Sequence, residues 1–144
     1  MKSIDKINSL LADLISININ LHNLHWNVKG DGFEEFHELT EELYDDIFGK
    51  YDDFAESLKI AGHYPVASLK EYAKLSNIGE LEVRDYSDGE VIDEVIKIYE
   101  YLIECFKSLR MIAIEEDNFV LQNNLEDIIA DYSKKLWLVK ARKN

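Results

Sequence analysis

Apolar residues recur at three- and four-residue steps along nearly the whole chain, a spacing that predicts helices. Ile4, Ile7, Leu11, Leu14, Leu21 and Val28 form one stripe, with Asn18 and His25 filling gaps in it. The stripe predicts a long first helix ending near Lys29-Gly30-Asp31-Gly32, where two glycines interrupt it. A second helix starts at once. Asp31 is placed to cap it, with Glu34 three residues on in capping-box spacing. Phe33, Phe36, Leu39, Leu43, Ile47, Phe54 and Leu58 carry its apolar face to about Ala61.

Gly62-His63-Tyr64-Pro65 breaks the pattern, Ser68-x-x-Glu71 opens a short helix through Leu75, and a polar loop runs from Ser76 to Ser87. Ser87-x-x-Glu90 opens a further helix with Val91, Val95, Ile98, Leu102, Phe106 and Leu109. After a break placed between Glu115 and Asn118, a last helix carries Val120, Leu121, Leu125, Ile128, Ile129, Tyr132, Leu136 and Trp137. No segment reads as a strand, and there is no internal repeat or linker-like tract. The expectation is a single all-α domain over residues 1–144: a four-helix bundle with a short extra helix in the long middle connection.

Composition narrows the function. The 144 residues are enough for a real core, and 47% are apolar, so the net charge of −13 does not signal disorder. One cysteine, Cys105, excludes an intramolecular disulfide framework and a multi-cysteine zinc site, and is expected in the core. The start, Met1-Lys2-Ser3-Ile4-Asp5-Lys6, places charges at once and lacks the apolar run of a targeting segment. The longest uncharged stretch, Leu14 to Val28, is too short for a membrane span and is studded with Asn and His. A soluble, cytoplasmic protein is expected. Basic residues collect in the last 11 positions, and without these the chain has 11 basic against 29 acidic residues, a net −18. Such a body repels phosphate backbones, and the basic end reads as cations complementing a helix C-terminus.

The chemistry-bearing residues lie where polar groups meet the apolar stripes. His25 falls on the stripe of the first helix. On the second, turning about 100° per residue from His37 puts Glu41 at ~40°, Asp52 at ~60° and Glu56 at ~100°, all on one side. Asp45, Asp46, Asp53, Glu34 and Glu42 make this helix acidic all round, so a merely solvated face is the competing reading. Length decides what the cluster can do. His37 and Asp52 are 15 residues apart, roughly 22 Å along a helix, too far to hold one ion within one chain. Asp52 and Glu56, one turn apart, can hold one together, and His25 and His37 can approach each other across a tight junction. Two antiparallel copies of the second helix would bring His37 of one chain beside Asp52 and Glu56 of the other, with the axis near Asp46 and Ile47 and two equivalent sites. Imidazole with carboxylate suits iron, manganese or zinc. Only one Glu-x-x-His spacing, Glu34 to His37, is present, which argues against an intrachain ferritin-type di-iron centre.

These residues resemble the Dps family of bacterial mini-ferritins. The likeness is carried by His25-Trp26-Asn27-Val28-Lys29-Gly30, Phe33-Glu34-Glu35-Phe36-His37-Glu38, Glu42-Leu43-Tyr44-Asp45-Asp46 and Asp52-x-x-Ala55-Glu56. Ser68 to Tyr72 looks like that family's short crossover helix, and Trp137 resembles its C-terminal Trp segment. The resemblance implies a hollow homo-dodecamer that oxidises Fe(II), with hydrogen peroxide preferred over dioxygen, and stores ferric mineral, so protecting against oxidative damage. It implies ferroxidase sites at twofold interfaces, with His25 and His37 from one subunit and Asp52 and Glu56 from its partner. Glu41, where the family usually has Asp, would help hold a second ion, and Trp26 would relay an electron or simply pack.

Several positions depart from the family pattern. Glu34 replaces an aromatic, Thr40-Glu41 replaces Phe-Asp, and Asn123 and Asn124 stand where threefold-pore acids are usual, with Glu115, Glu116 and Asp117 as substitutes. Before the first helix there is no lysine-rich tail, so DNA binding is expected to be weak or absent. The competing readings are a non-catalytic DNA-compacting or helical interaction protein and a zinc or manganese buffer. His22 and His63 are expected to be structural or surface residues.

Overall fold

A computed structural model describes residues 1–143. Five helices follow in order: α1 (Lys2–Asn27), α2 (Phe33–Ile60), α3 (Leu69–Leu75), α4 (Asp88–Glu115) and α5 (Phe119–Lys140). Among the described residues there is no strand, and the one extended pairing is an isolated parallel bridge between Val28 and Tyr86. The helices divide between two compact units, one formed by Met1 and residues 3–88, the other by Lys2 and the residues from Gly89 on.

In the first unit α1 buries Ile7, Leu11, Leu14 and Leu21 as their spacing predicts, and also Leu10, Ile17 and Leu24. Removing each such side chain from water is worth about 1.5–3 kcal/mol. α2 answers with Phe36, Leu43, Ile47, Phe54 and Leu58. The two helices run antiparallel: the Asn18 amide donates to the Tyr44 carbonyl at 2.9 Å, which explains its place on the apolar stripe. Phe33, expected on the buried face, is exposed, and Thr40 is fully buried instead.

The α1–α2 junction corrects the expected cap. Gly32, not Asp31, is the N-cap residue of α2 and supplies no side chain to it. The Gly32 N–H is taken by a residue distant in sequence, the Asp88 carboxylate, at 3.0 Å. A Cβ on Gly32 would lie 2.8 Å from both Asp88 Oδ2 and the Phe36 ring, so only glycine fits. Gly30 has φ +138°, a conformation that glycine alone adopts freely.

The connection after α2 lies as a strap along α1, in the same direction. Asn8 Oδ1 accepts from Val66 N–H, Asp13 Oδ1 from Asn77 N–H, and Asn20 Oδ1 from Leu81 N–H. The Asn20 amide donates to Gly79 O and the Asn23 amide to Glu82 O. Buried polar groups on a core helix are thereby paired with loop backbone that would otherwise lack partners. Within the strap, Ser68 caps α3 as its spacing predicts, accepting from Glu71 N–H, and the Tyr72 hydroxyl meets that of Tyr51 at 2.8 Å. The strap ends at the bridge, with Lys29 N–H donating to Tyr86 O and Tyr86 N–H to Asn27 O.

In the second unit, Val91, Val95, Ile98, Leu102, Phe106 and Leu109 of α4 are all buried. From α5 come Leu121, Leu125, Tyr132 and Val139, whereas Val120 and Trp137 are exposed. Tyr132 meets Tyr99 and Phe106 edge-on. The turn between these helices has neither Gly nor Pro. Asp117 takes the left-handed conformation (φ 56°), which Asp tolerates better than most residues. Asn118 then caps α5 by accepting from Leu121 N–H. The C-terminal cations sit against α4 acids, Lys140 on Glu100 and Lys143 on Asp93. Cys105, expected in the core, is only half-buried. Among the described residues no helix is long and apolar enough to cross a membrane.

Candidate metal centre

His25 lies in the last turn of α1 and His37 in the second turn of α2. Antiparallel pairing across the short junction stacks their rings, with centroids 3.6 Å apart and planes 15° from parallel. His25 Nδ1 lies 2.6 Å from the carbonyl oxygen of His37, and His37 Nδ1 lies 2.8 Å from that of His25. A carbonyl oxygen can only accept, so each Nδ1 carries the proton. In the neutral ring the other nitrogen, Nε2, then holds an available lone pair. The histidines therefore fix each other's tautomer through the backbone. The Thr40 hydroxyl, 3.1 Å from His25 Nδ1, adds a second contact.

Electrostatics favour the neutral form. Burial pushes the His25 imidazole below the ordinary value of 6.5, His37 and His22 push the same way, and the His37 carbonyl and Glu41 oppose them. Glu41 is exposed and brings Oε1 to 3.9 Å from His25 Nε2. Phe33 lies against His37 at 5.1 Å. His22 is held within the chain: its Nδ1 lies 2.8 Å from Asn18 O, and its ring stacks on Tyr44 at 3.8 Å. Trp26 is 68% exposed and touches His22 edge-on.

The other end of α2 is different. Asp52, Asp53 and Glu56 are exposed, and their oxygens gather within 4.8 Å of one another. The Asp52 carboxyl, by hydrogen bond first and by charge second, holds the Glu56 carboxyl above its usual range, with burial and Asp53 adding to the effect. Like-charged oxygens this close retain a proton or attract a cation. Sequence spacing alone does not separate Asp53 from the general acidic face of α2. The one signal it offers is the offset of Asp53, one residue from Asp52 and three from Glu56.

The structure thus brings His25, His37 and Glu41 together at one end of α2, and Asp52 and Glu56 together with Asp53 at the other. It does not bring the two groups together. α2 is unbroken between them, and the 15 intervening steps amount to about 22 Å. One chain carries two separate groups: imidazole nitrogens with fixed lone pairs, and a carboxylate cluster. That pairing of neutral nitrogen with anionic oxygen suits a first-row divalent metal such as iron.

The ferritin-like domain family model matches residues 4–142. The chain is 33% identical over 141 residues to the DNA protection during starvation protein of Helicobacter pylori, covering 98% of each. Among solved structures it resembles Helicobacter cinaedi CAIP, with TM-score 0.95, 27% identity and 99% of each chain covered. It also resembles the DPS protein of Vibrio cholerae O1, described as a member of a broad superfamily of ferritin-like diiron-carboxylate proteins, with TM-score 0.90, 25% identity and 97% and 87% covered. The all-α architecture is accordingly the ferritin-like one, and the chain belongs to the Dps family of ferritin-like proteins.

Proposed function

We propose that the protein is a ferroxidase that takes up ferrous iron at sites built by two copies of the chain and stores it as ferric mineral in a dodecameric cage. The observation that carries this reading is the reciprocal clamp of His25 and His37, which holds two Nε2 lone pairs ready, at a distance along α2 that leaves Asp52 and Glu56 of the same chain out of reach. A twofold axis crossing α2 near Asp46 and Ile47 would place each histidine pair beside the partner's acids, forming two equivalent sites. Support also comes from the diiron-carboxylate description of the Vibrio relative.

In this reading the ferrous ion is substrate. His25 and His37 offer neutral nitrogen to the incoming ion, and Asp52 and Glu56 offer anionic oxygen that favours the harder ferric product. Glu41, beside His25, helps hold a second ion. Each ferrous ion gives up one electron, and one hydrogen peroxide takes two and becomes two hydroxide ions, so no hydroxyl radical is released. Dioxygen is the slower oxidant. The role is iron storage and protection against oxidative damage in the cytoplasm, with little or no DNA binding.

The test is to add ferrous iron anaerobically, then peroxide, and follow ferric absorbance in the wild type and in His37→Ala/Asp52→Ala. The wild type oxidises and retains iron, and the double variant does neither at a comparable rate. Equal rates would remove the site assignment.

A further inference from the structure

Asp88 is chemically out of place. One of its oxygens, Oδ2, accepts from Gly32 N–H at 3.0 Å. The other, Oδ1, is buried and has no hydrogen-bond partner among the described residues. A buried carboxylate oxygen without a donor is unfavourable, a cost borne by one oxygen of an otherwise half-buried side chain at the start of α4. The surroundings are shaped to admit it. Gly32 has no Cβ, which would press on Asp88 Oδ2 at 2.8 Å, and Gly30 lies alongside with a backbone that excludes other residues.

What the carboxylate holds is the start of α2. Gly32 is the N-cap residue and gives no side-chain cap, so the leading amide would otherwise go unpaired. A negative charge there also meets the positive end of the helix dipole. The Gly32 carbonyl in turn accepts from Phe36 N–H, the residue before His37. The His37 carbonyl is the acceptor that fixes His25, and the His25 carbonyl is the one that fixes His37. The first turn of α2 thus leads directly into the carbonyl on which His25 rests, while the His25 carbonyl at the end of α1 holds His37.

We propose that Asp88 is a positioning residue for the histidine half-site: by holding Gly32 N–H it fixes the first turn of α2, and with it the reciprocal hydrogen bonds that leave both Nε2 atoms free. Its value for metal uptake rests on the function proposed above, but its effect on the tautomers does not. The closing experiment uses the full chain, 15N-labelled at histidine, with zinc alone as the metal probe. Wild type shows His25 and His37 protonated at Nδ1, with slow exchange of those protons. Asp88→Ala gives mixed tautomers with exchange accelerated ~10-fold or more, and zinc affinity weakened ~10-fold, the lower end of what removing an orienting partner does. Asp88→Asn retains an acceptor oxygen for Gly32 and restores both signatures, which general destabilisation would not. Asp88→Leu, close to Asn in size but without an acceptor, is expected to reproduce the Asp88→Ala spectrum, so the proposal stays open to test if Asp88→Ala folds poorly. Wild-type tautomers and exchange in both Asp88→Ala and Asp88→Leu would overturn it. Absence of zinc binding in the wild type would instead remove the metal reading and leave the tautomer signals to decide the role of Asp88.

Discussion

The imidazoles of His25 and His37 each sit on the other's main-chain carbonyl, at 2.6 and 2.8 Å, with the rings stacked face to face. Neither ring can turn without breaking its own bond and loosening its neighbour's. This reciprocity makes a rigid nitrogen pair from a helix end and a helix start joined by five residues, Val28 to Gly32.

Burial, which leads the effects on His25, gives a pH signature. Its folded value lies below the ordinary 6.5, so between the two values the unfolded chain binds more protons than the folded one. The stability it contributes is fully present above 6.5 and is lost as pH falls through the folded value. The His25 imidazole resonance is expected to titrate with a midpoint below 6.5. A midpoint at or above that value would show that the ring is not held in the neutral form.

Glu56 works in the opposite sense. Asp52 raises its carboxyl value, so the folded state favours the protonated form, and the metal-free protein loses stability as pH rises through that value. Glu56→Gln is expected to raise the melting temperature of the metal-free protein at neutral pH by ~1–3 °C, an ordinary gain from relieving a functional site. It should also abolish the additional rise that a divalent cation gives the wild type. Thermal melts with and without zinc, repeated at acid pH where the difference should vanish, check both parts.

Most of the fold was legible because periodicity reports burial: every apolar position expected on α4 is buried. The exceptions have physical causes. Phe33, Val120 and Trp137 are apolar yet exposed: at about 100° per residue Val120 and Trp137 turn well away from the line of Leu121, Leu125, Tyr132 and Val139, and Phe33 lies at the edge of the α2 stripe. The cap of α2 was misread because it is supplied by Asp88, 56 residues away from Gly32, whereas capping rules see only local neighbours. That His37 and Asp52 stand too far apart to meet within one chain followed from helical rise alone. The Nδ1–carbonyl exchange did not, since it depends on two backbones meeting.

Asn20 was legible only as a polar interruption of an apolar stretch. In the structure it pairs twice with the strap, donating to Gly79 O at 2.9 Å and accepting from Leu81 N–H at 3.0 Å. Asn20→Ala leaves both backbone groups without this partner and is expected to cost about 1–3 kcal/mol. Hydrogen exchange at Leu81 should accelerate far more than exchange in the middle of α4. Unchanged protection at Leu81 would mean that the strap is held by other contacts.

Nucleic acid is expected to gain little from the basic C-terminal region. Lys135, Lys140 and Lys143 each face an acid, Asp131, Glu100 and Asp93, within the chain, and the whole carries −13. Mixed with duplex DNA at about 150 mM salt, where charges more than ~8 Å apart are largely screened, the protein should leave its mobility unchanged. A shift that persists at that salt would show a binding surface that the charge pattern does not predict.

The central claim is that His25 and His37 of one chain work with Asp52 and Glu56 of another, and subunit mixing tests it most directly. His37→Ala and Asp52→Ala/Glu56→Ala chains are each expected to be nearly inactive alone. Co-assembled, a mixed pair contains one site with both defects and one site with none. Random pairing makes half of the pairs mixed, so ferrous oxidation should recover to about a quarter of the wild-type rate. A mixture no more active than its parents, although shown to contain mixed pairs, would contradict the shared site.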